Sequence, residues 1–305
     1  MPGRLTHIAC LVACAVLTTA PARADGDGQP AEVDRESADG RHGPAGTARL
    51  FTMPIADVVG AYQMTIGGDG SLLEEPGVLS FAGVAALGVG DLAQVEYRHT
   101  QAISAGGRNA PVPAIGAQFQ APLPRRGRIP AVALALRLGL GRGQSFGATE
   151  LIERVADLYL VTRWSAGDSL RLHAGARISQ AEVELAGDRQ FTASRVLLLP
   201  TAGAELDTMA GARLVTEFGL APRFDFDPNS AAEPVIDYGA LGRIGARWRM
   251  HRYLSVDSSL GYQIETRSSA ARPPGSLLAW DIRMGAELYL PWGHLACRAT
   301  GAFCP

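Results

Sequence analysis

From about residue 50 to residue 292 the chain alternates apolar and polar side chains with a period of two. In LLAWDIRMGAELYLPW, Leu278, Trp280, Ile282, Met284, Ala286, Leu288 and Leu290 fall on one face; Ala279, Asp281, Arg283, Gly285, Glu287 and Tyr289 fall on the other. Successive strand residues point to opposite faces, so this pattern predicts a strand with one apolar face, whereas a helix would scatter both sets around its axis. LRLHAGARIS repeats it, with Leu170, Leu172, Ala174, Ala176 and Ile178 opposed to Arg171, His173, Gly175, Arg177 and Ser179. Residues 236–250 place Arg243, Arg247 and Arg249 on the polar face, and residues 254–266 place Asp257, Gln263 and Glu265 there. The segments that read as strands are 56–66, 78–87, 92–100, 113–121, 130–141, 154–165, 169–185, 190–206, 211–226, 235–250, 253–266 and 277–291. Many exceed the roughly five or six residues of a soluble strand. They reach the roughly nine to eleven that a tilted membrane strand needs.

The connections alternate in length. GGDGSLLEEPG, TQAISAGGRNAPV, GRGQSFGATELI, DPNSAAEP and TRSSAARPPGS are long, while AGD at 166–168, DTMAG and His251-Arg252 are tight. AGDR at 186–189 is a modest link where the alternation calls for a long one. In an up-and-down antiparallel barrel every second turn lies at the same end. Trp164, Trp248, Tyr253 and Trp292 stand beside the tight-turn end. Phe191, Phe224, Phe226, Tyr238 and Trp280 stand beside the long-loop end. Two aromatic bands separated by apolar residues match the interfacial girdles of membrane barrels.

With these features residues 50–292 resemble a bacterial outer-membrane β-barrel. The resemblance rests on pattern rather than on a motif. It implies an all-β, up-and-down antiparallel transmembrane barrel of about twelve strands, between ten and fourteen. It further implies outer-membrane lipid and the barrel-assembly machinery as partners. One departure is the C-terminus. Many such barrels end on an aromatic residue, whereas here GHLACRATGAFCP follows Trp292.

The N-terminus fits an exported chain. Arg4, the apolar IACLVACAVL and the Ala22-Arg23-Ala24 site form a signal peptide over 1–24. LVAC, ending at Cys14, offers a competing lipobox reading. Residues 25–49 are polar, rich in Gly and acid, and read as a disordered segment. The tail 293–305 carries Cys297 and Cys304, an even pair in an oxidising compartment, expected to close a local disulfide. A net charge of −2 leaves no footprint for nucleic acid.

The polar face holds the candidate chemistry. It carries Arg137, Arg163, Arg171, Arg177, Arg213, Arg243, Arg247, Arg249 and Arg283. Against them stand Asp157, Glu182, Glu205, Glu217, Asp237, Asp257, Glu265, Asp281 and Glu287. Turned inward, these nearly balanced charges form an ion-pair network in a narrow lumen, since wide aqueous channels belong to about sixteen strands or more. A small pore or a structural wall follows, with no enzymatic activity, metal or cofactor. An excess of Arg near Arg243, Arg247 and Arg249 would favour anions.

Two other readings fit parts of the pattern. A secreted soluble all-β ligand-binding barrel would turn the apolar face inward instead. A surface barrel enzyme of lipase or deacylase type would need a Ser/His pair, for which His99 and Ser104 are the nearest candidates. GQSFG at 143–147 matches G-x-S-x-G, but the α/β hydrolases that use this turn need parallel strands joined by helices. The run ATELIERVADLYLV after it is passably helical and then changes to alternation at Leu158, so Ser145 reads as a loop residue. His42 and His99 stand without metal-ligand spacing.

Overall fold

The computed structural model describes residues 48–60, 63–73, 78–89, 92–104, 113–123, 130–141, 143–208, 211–226, 231–264, 278–293 and 298. Its strands are β1 (Met64–Leu73), β2 (Val78–Val89), β3 (Ala93–Ser104), β4 (Pro113–Pro122), β5 (Ala131–Gly141), β6 (Gln144–Phe146) and β7 (Thr149–Ala166). They continue as β8 (Leu170–Gly187), β9 (Phe191–Asp207), β10 (Ala212–Asp225), β11 (Val235–His251), β12 (Leu254–Ile264) and β13 (Leu278–Leu290). Every ladder is antiparallel. The ring runs from β5 back to β1, across to β13 and round to β7, and a β5–β7 pairing closes it. Twelve long strands therefore make the wall. The three-residue β6 pairs only with the extension of β7 beyond it.

Closure gives each wall strand a neighbour on both sides over at least part of its length, which leaves little free sheet edge for lipid to meet. Met64 pairs with Leu290, so the barrel starts and ends at the short-turn end. The alternation sorts the faces. Phe81, Val95, Tyr97, Leu140, Leu160, Ile178, Phe218, Ile244, Met284 and Leu288 are exposed on the outside. Glu96, Asp157, Glu205, Arg213, Glu217, Arg243, Arg247, Asp281 and Glu287 are buried inside. A water-soluble barrel would have these faces reversed.

Three sequence expectations change. The first strand is not 56–66 but Met64–Leu73, and the barrel wall begins at Met64 rather than at residue 50. Gly67, Gly68 and Gly70 resemble a turn in sequence, yet here they lie in β1, where Gly67 and Gly68 permit close approach. A Cβ on Gly67 would lie 2.6 Å from the Ala286 carbonyl oxygen. Residues 48–59 enter the lumen, so Ala48 and Arg49 do not belong to a disordered polar segment. The helical stretch after GQSFG is strand throughout, because β7 finds partners along its length in β5, β6 and β8. Pairing on both sides outweighs local helix propensity, which amounts to only tenths of a kcal/mol per residue. The signal peptide, the rest of the N-terminal segment, Glu265, Cys297 and Cys304 lie outside the described residues.

Glycines inside the wall test this packing. A Cβ on Gly245 would collide with the Ser258 carbonyl oxygen, whereas one on Gly83 meets nothing within 4 Å. Gly245→Val is expected to lower barrel stability by roughly 1–3 kcal/mol, the usual cost of overpacking. Gly83→Val should leave it unchanged. The temperature at which the folded band converts to the unfolded band in semi-native electrophoresis reports both.

Candidate functional site: an occupied, ion-paired lumen

The interior is organised around residues 48–59. Leu50 N–H donates to the Met53 carbonyl and Ile55 N–H to the Ala48 carbonyl, folding the segment into a tight hairpin with Phe51 and Thr52 at its tip. An isolated bridge joins Arg49 and Pro54. The hairpin enters from the short-turn end. Val59 N–H donates to Gln94 Oε1 at the start of β3, and Arg163, near the end of β7, pairs with Asp57 at 2.6 Å.

Glu217 holds the tip. Its carboxylate accepts the backbone N–H groups of Phe51, Thr52 and Met53 at 3.1, 2.9 and 3.2 Å, and the Thr52 hydroxyl at 2.6 Å. Hydrogen bonds to an ionised acceptor are about twice as strong as neutral ones. Arg247 donates to the Leu50 carbonyl at 2.7 Å, and Arg137 to the Thr52 carbonyl at 2.8 Å. Gln120 donates to the carbonyls of Ile55 and Asp57, and Arg49 pairs with Glu96 at 3.1 Å. Apolar groups complete the fit. Leu50 is 0 % exposed, and with Phe51, Met53 and Ile55 it clusters against Ala133, Ala135, Val161 and Val215 of the wall. Small residues make the room. A Cβ on Gly203 would strike Leu50.

Tyr159 is the hub above the tip. The guanidinium groups of Arg137 and Arg177 each lie over its ring, at 5.2 and 5.7 Å from the centroid. Its hydroxyl accepts from Arg177 at 2.9 Å and from Arg137 at 3.2 Å, and donates to Asp157 at 3.3 Å. Ser179 donates to the same Asp157. The sequence signal for Tyr159 was its parity with Asp157 and Arg163 on one strand.

The remaining polar-face residues pair around the wall. Arg243 donates to both Asp281 oxygens at 2.7 Å and to Ser259 at 2.9 Å. Arg171 and Arg213 share Asp207, at 3.1 and 2.6 Å, beside Glu205, which also faces His173 at 3.4 Å. Asp69, which the sequence reading assigned to a loop, joins Arg98 at 3.1 Å and Arg283 at 3.6 Å. Asp237 lies 3.9 Å from Arg195. Glu287 is buried, Arg249 and Asp257 are half-buried, and Asp257 lies opposite Arg247 in the β11–β12 register. Glu182 departs from the expected lumen set. It shares the exterior face with Ile178 and pairs with Arg154 at 3.7 Å near the long-loop end, where Glu184 joins the same Arg at 3.0 Å.

On the exterior, Trp164, Trp248 and Tyr253 are exposed near the short-turn end, and Tyr238 toward the other; Trp280 and Trp292 are half-buried. Phe191, Phe224 and Phe226 leave the outer band and pack in an apolar cluster instead. Ser145 is exposed in β6, followed by Gly147 at φ 63° in the hairpin turn. His99 and Ser104 both lie in β3.

Apolar outside, charged inside and closed, this is the architecture of the bacterial outer-membrane β-barrels. Solved structures with a similar chain path include the NanC porin, at 8 % identity and TM-score 0.48, covering 74 % of this chain and all of that one. The KdgM porin follows at 9 % and 0.44, covering 73 % of this chain and 98 % of that one. The translocator domain of the autotransporter NalP from Neisseria meningitidis stands at 13 % and 0.45, covering 74 % and 87 %. No family model and no curated protein sequence matches the chain.

Removing the Glu217 carboxylate would leave three hairpin N–H groups unpaired at about 1–3 kcal/mol each. Glu217→Ala should therefore raise the withdrawn population of the hairpin by at least roughly 100-fold, at 1.4 kcal/mol per tenfold. The rate at which a maleimide labels Thr52→Cys, with and without Glu217→Ala, measures this.

Proposed function

We propose that the protein is a non-enzymatic outer-membrane barrel that acts as a narrow channel for small solutes, closed by its own hairpin at residues 48–59. The occupied lumen carries this reading. The polar side chains that grip the hairpin, Glu217, Arg247, Arg137, Gln120 and Gln94, bond mainly to its backbone. Such bonds exchange with water at a net cost of about 1.5–3 kcal/mol each where a charged side chain takes part and about 0.5–1.5 kcal/mol where Gln does. Withdrawal would leave a passage walled by Arg and acid. The apolar exterior supports lipid as its solvent, against the soluble ligand-binding reading. The surface-enzyme reading gains no support from GQSFG, whose neighbouring strands are all antiparallel.

Planar-bilayer recordings test the proposal. The intact chain should show rare, brief openings. Deletion of residues 48–56 should give steady conductance, and Glu217→Ala an intermediate open time. Steady conductance of equal size from the intact chain would sink the plug. Recovery of the folded protein in the soluble fraction without detergent would sink the membrane reading.

A further inference from the structure

The lumen holds the hairpin by its peptide groups. The group joining Leu50 to Phe51 is gripped at both poles: its C=O accepts from Arg247 and its N–H donates to Glu217. The group joining Thr52 to Met53 is gripped in the same way, its C=O by Arg137 and its N–H by Glu217. The group between them also gives its N–H to Glu217. Further along, Gln120 donates to the carbonyls of Ile55 and Asp57, and Gln94 accepts the Val59 N–H. Hairpin side chains add the Thr52 hydroxyl on Glu217 and the ion pairs Arg49–Glu96 and Asp57–Arg163.

Every residue except proline carries the same main-chain donor and acceptor. Side chains that bond those groups read a peptide with little regard to its sequence. Other small solutes match this set poorly. An ionised carboxylate such as Glu217 only accepts, so it needs donors and repels an anion. A saccharide hydroxyl donates and accepts at one atom, whereas Arg247 and Glu217 take hold of opposite edges of one amide plane. The space is peptide-sized by construction, because a peptide segment fills it. Leu50, Phe51, Met53 and Ile55 cluster there against wall residues as small as Ala133 and Ala135.

The hairpin leaves part of the donor set idle. Arg247 is 2 % exposed, yet its Nε and Nη1 meet no protein acceptor, and neither does Gln94 Nε2. Buried donors without acceptors are costly, so an occupant that brings a further carbonyl to them gains what the hairpin forgoes. We propose that the lumen is a main-chain peptide-binding site, filled in cis by the hairpin and in trans by a short peptide once the hairpin withdraws. Oligopeptides are then the solute class of the channel, a step that rests on the channel reading above.

The test uses the full chain carrying Thr52→Cys, in phosphatidylcholine nanodiscs, labelled by a maleimide in the presence of acetyl-Val-Leu-Thr-Leu-Pro-amide. A ligand that binds only the withdrawn state multiplies its population by one plus the ratio of ligand concentration to Kd. The labelling rate should therefore rise linearly with peptide, and its slope divided by its intercept gives 1/Kd. At ten times Kd the expected acceleration is about elevenfold. The peptide of residues 50–54 should give a Kd within about tenfold of this one. N-methylation of the Leu, Thr and Leu amides, which removes the three N–H groups, should abolish the effect, and maltotriose should have none. Adding Glu217→Ala should raise the intercept and lower the slope-to-intercept ratio at least tenfold, in a protein whose heat-modifiable band is unchanged. No acceleration, or equal acceleration by the N-methylated peptide, would overturn the site. Acceleration confined to the hairpin's own sequence would overturn it too, since that marks a dedicated plug. Labelling needs no ion flow, so the two readings fail separately. Conductance after deletion of residues 48–56 with peptide-independent labelling keeps the channel and removes its substrate class. Peptide-dependent labelling without conductance keeps the binding site and removes the channel.

Discussion

A wall that meets hydrocarbon must satisfy its backbone hydrogen bonds within itself. The ring from β5 through β1 and β13 to β7 does so along every seam except the far half of β9–β10. Closure also fixes where the side chains go. A residue on a closed strand faces either lipid or lumen, and the charged majority of one parity is driven inside. The interior of this barrel follows from that division. It must hold Arg and acid side chains in a space too narrow to hydrate each of them separately.

Pairing solves part of that problem, and the hairpin solves a further part. Arg243 with Asp281, and Arg171 and Arg213 with Asp207, neutralise one another around the wall. Glu217 is instead satisfied by backbone N–H groups of residues 51–53, and Arg247 and Arg137 each donate one bond to a backbone carbonyl of the same hairpin. The hairpin is thus a hydrogen-bond partner of the wall and, through Arg49 and Asp57, its counter-charge. Buried charged groups that lose a partner are costly, so the lumen and its occupant stabilise each other. Ala133, Ala135 and Gly203 are small for a steric reason: each yields volume to Leu50 or its neighbours.

The β9–β10 break shows how a local sequence feature can reshape a closed ring. Two prolines, Pro200 on β9 and Pro222 on β10, end the ladder, and the freed edges do not stay exposed; they slide and bury their apolar faces against each other. Phe191, Phe224 and Phe226 are drawn from the aromatic band into that layer. Their positions near strand ends said nothing of this, because parity assigns a face only while the ring is single-layered.

Strand character, the number of long strands and the two-faced sorting were legible along the chain, because a period of two needs only neighbouring residues to be read. Arg243, Asp281, Arg247 and Glu217 were visible as one polar set for that reason. Their partners were not. Glu217 and Phe51 are 166 residues apart, and no local pattern couples them. Residues 56–59 and the glycine-rich start of β1 were misread because a short apolar run beside a turn-like run looks the same whether it lines a wall or fills a lumen. Glu182 was misplaced by a count of parity that the strand itself contradicts. Alternation along the backbone, a property of each strand alone, determined which residues share a face. Only the closing of the ring decided what that face encloses, because ladder ends, side-chain volumes and counter-charges act between segments far apart in the chain.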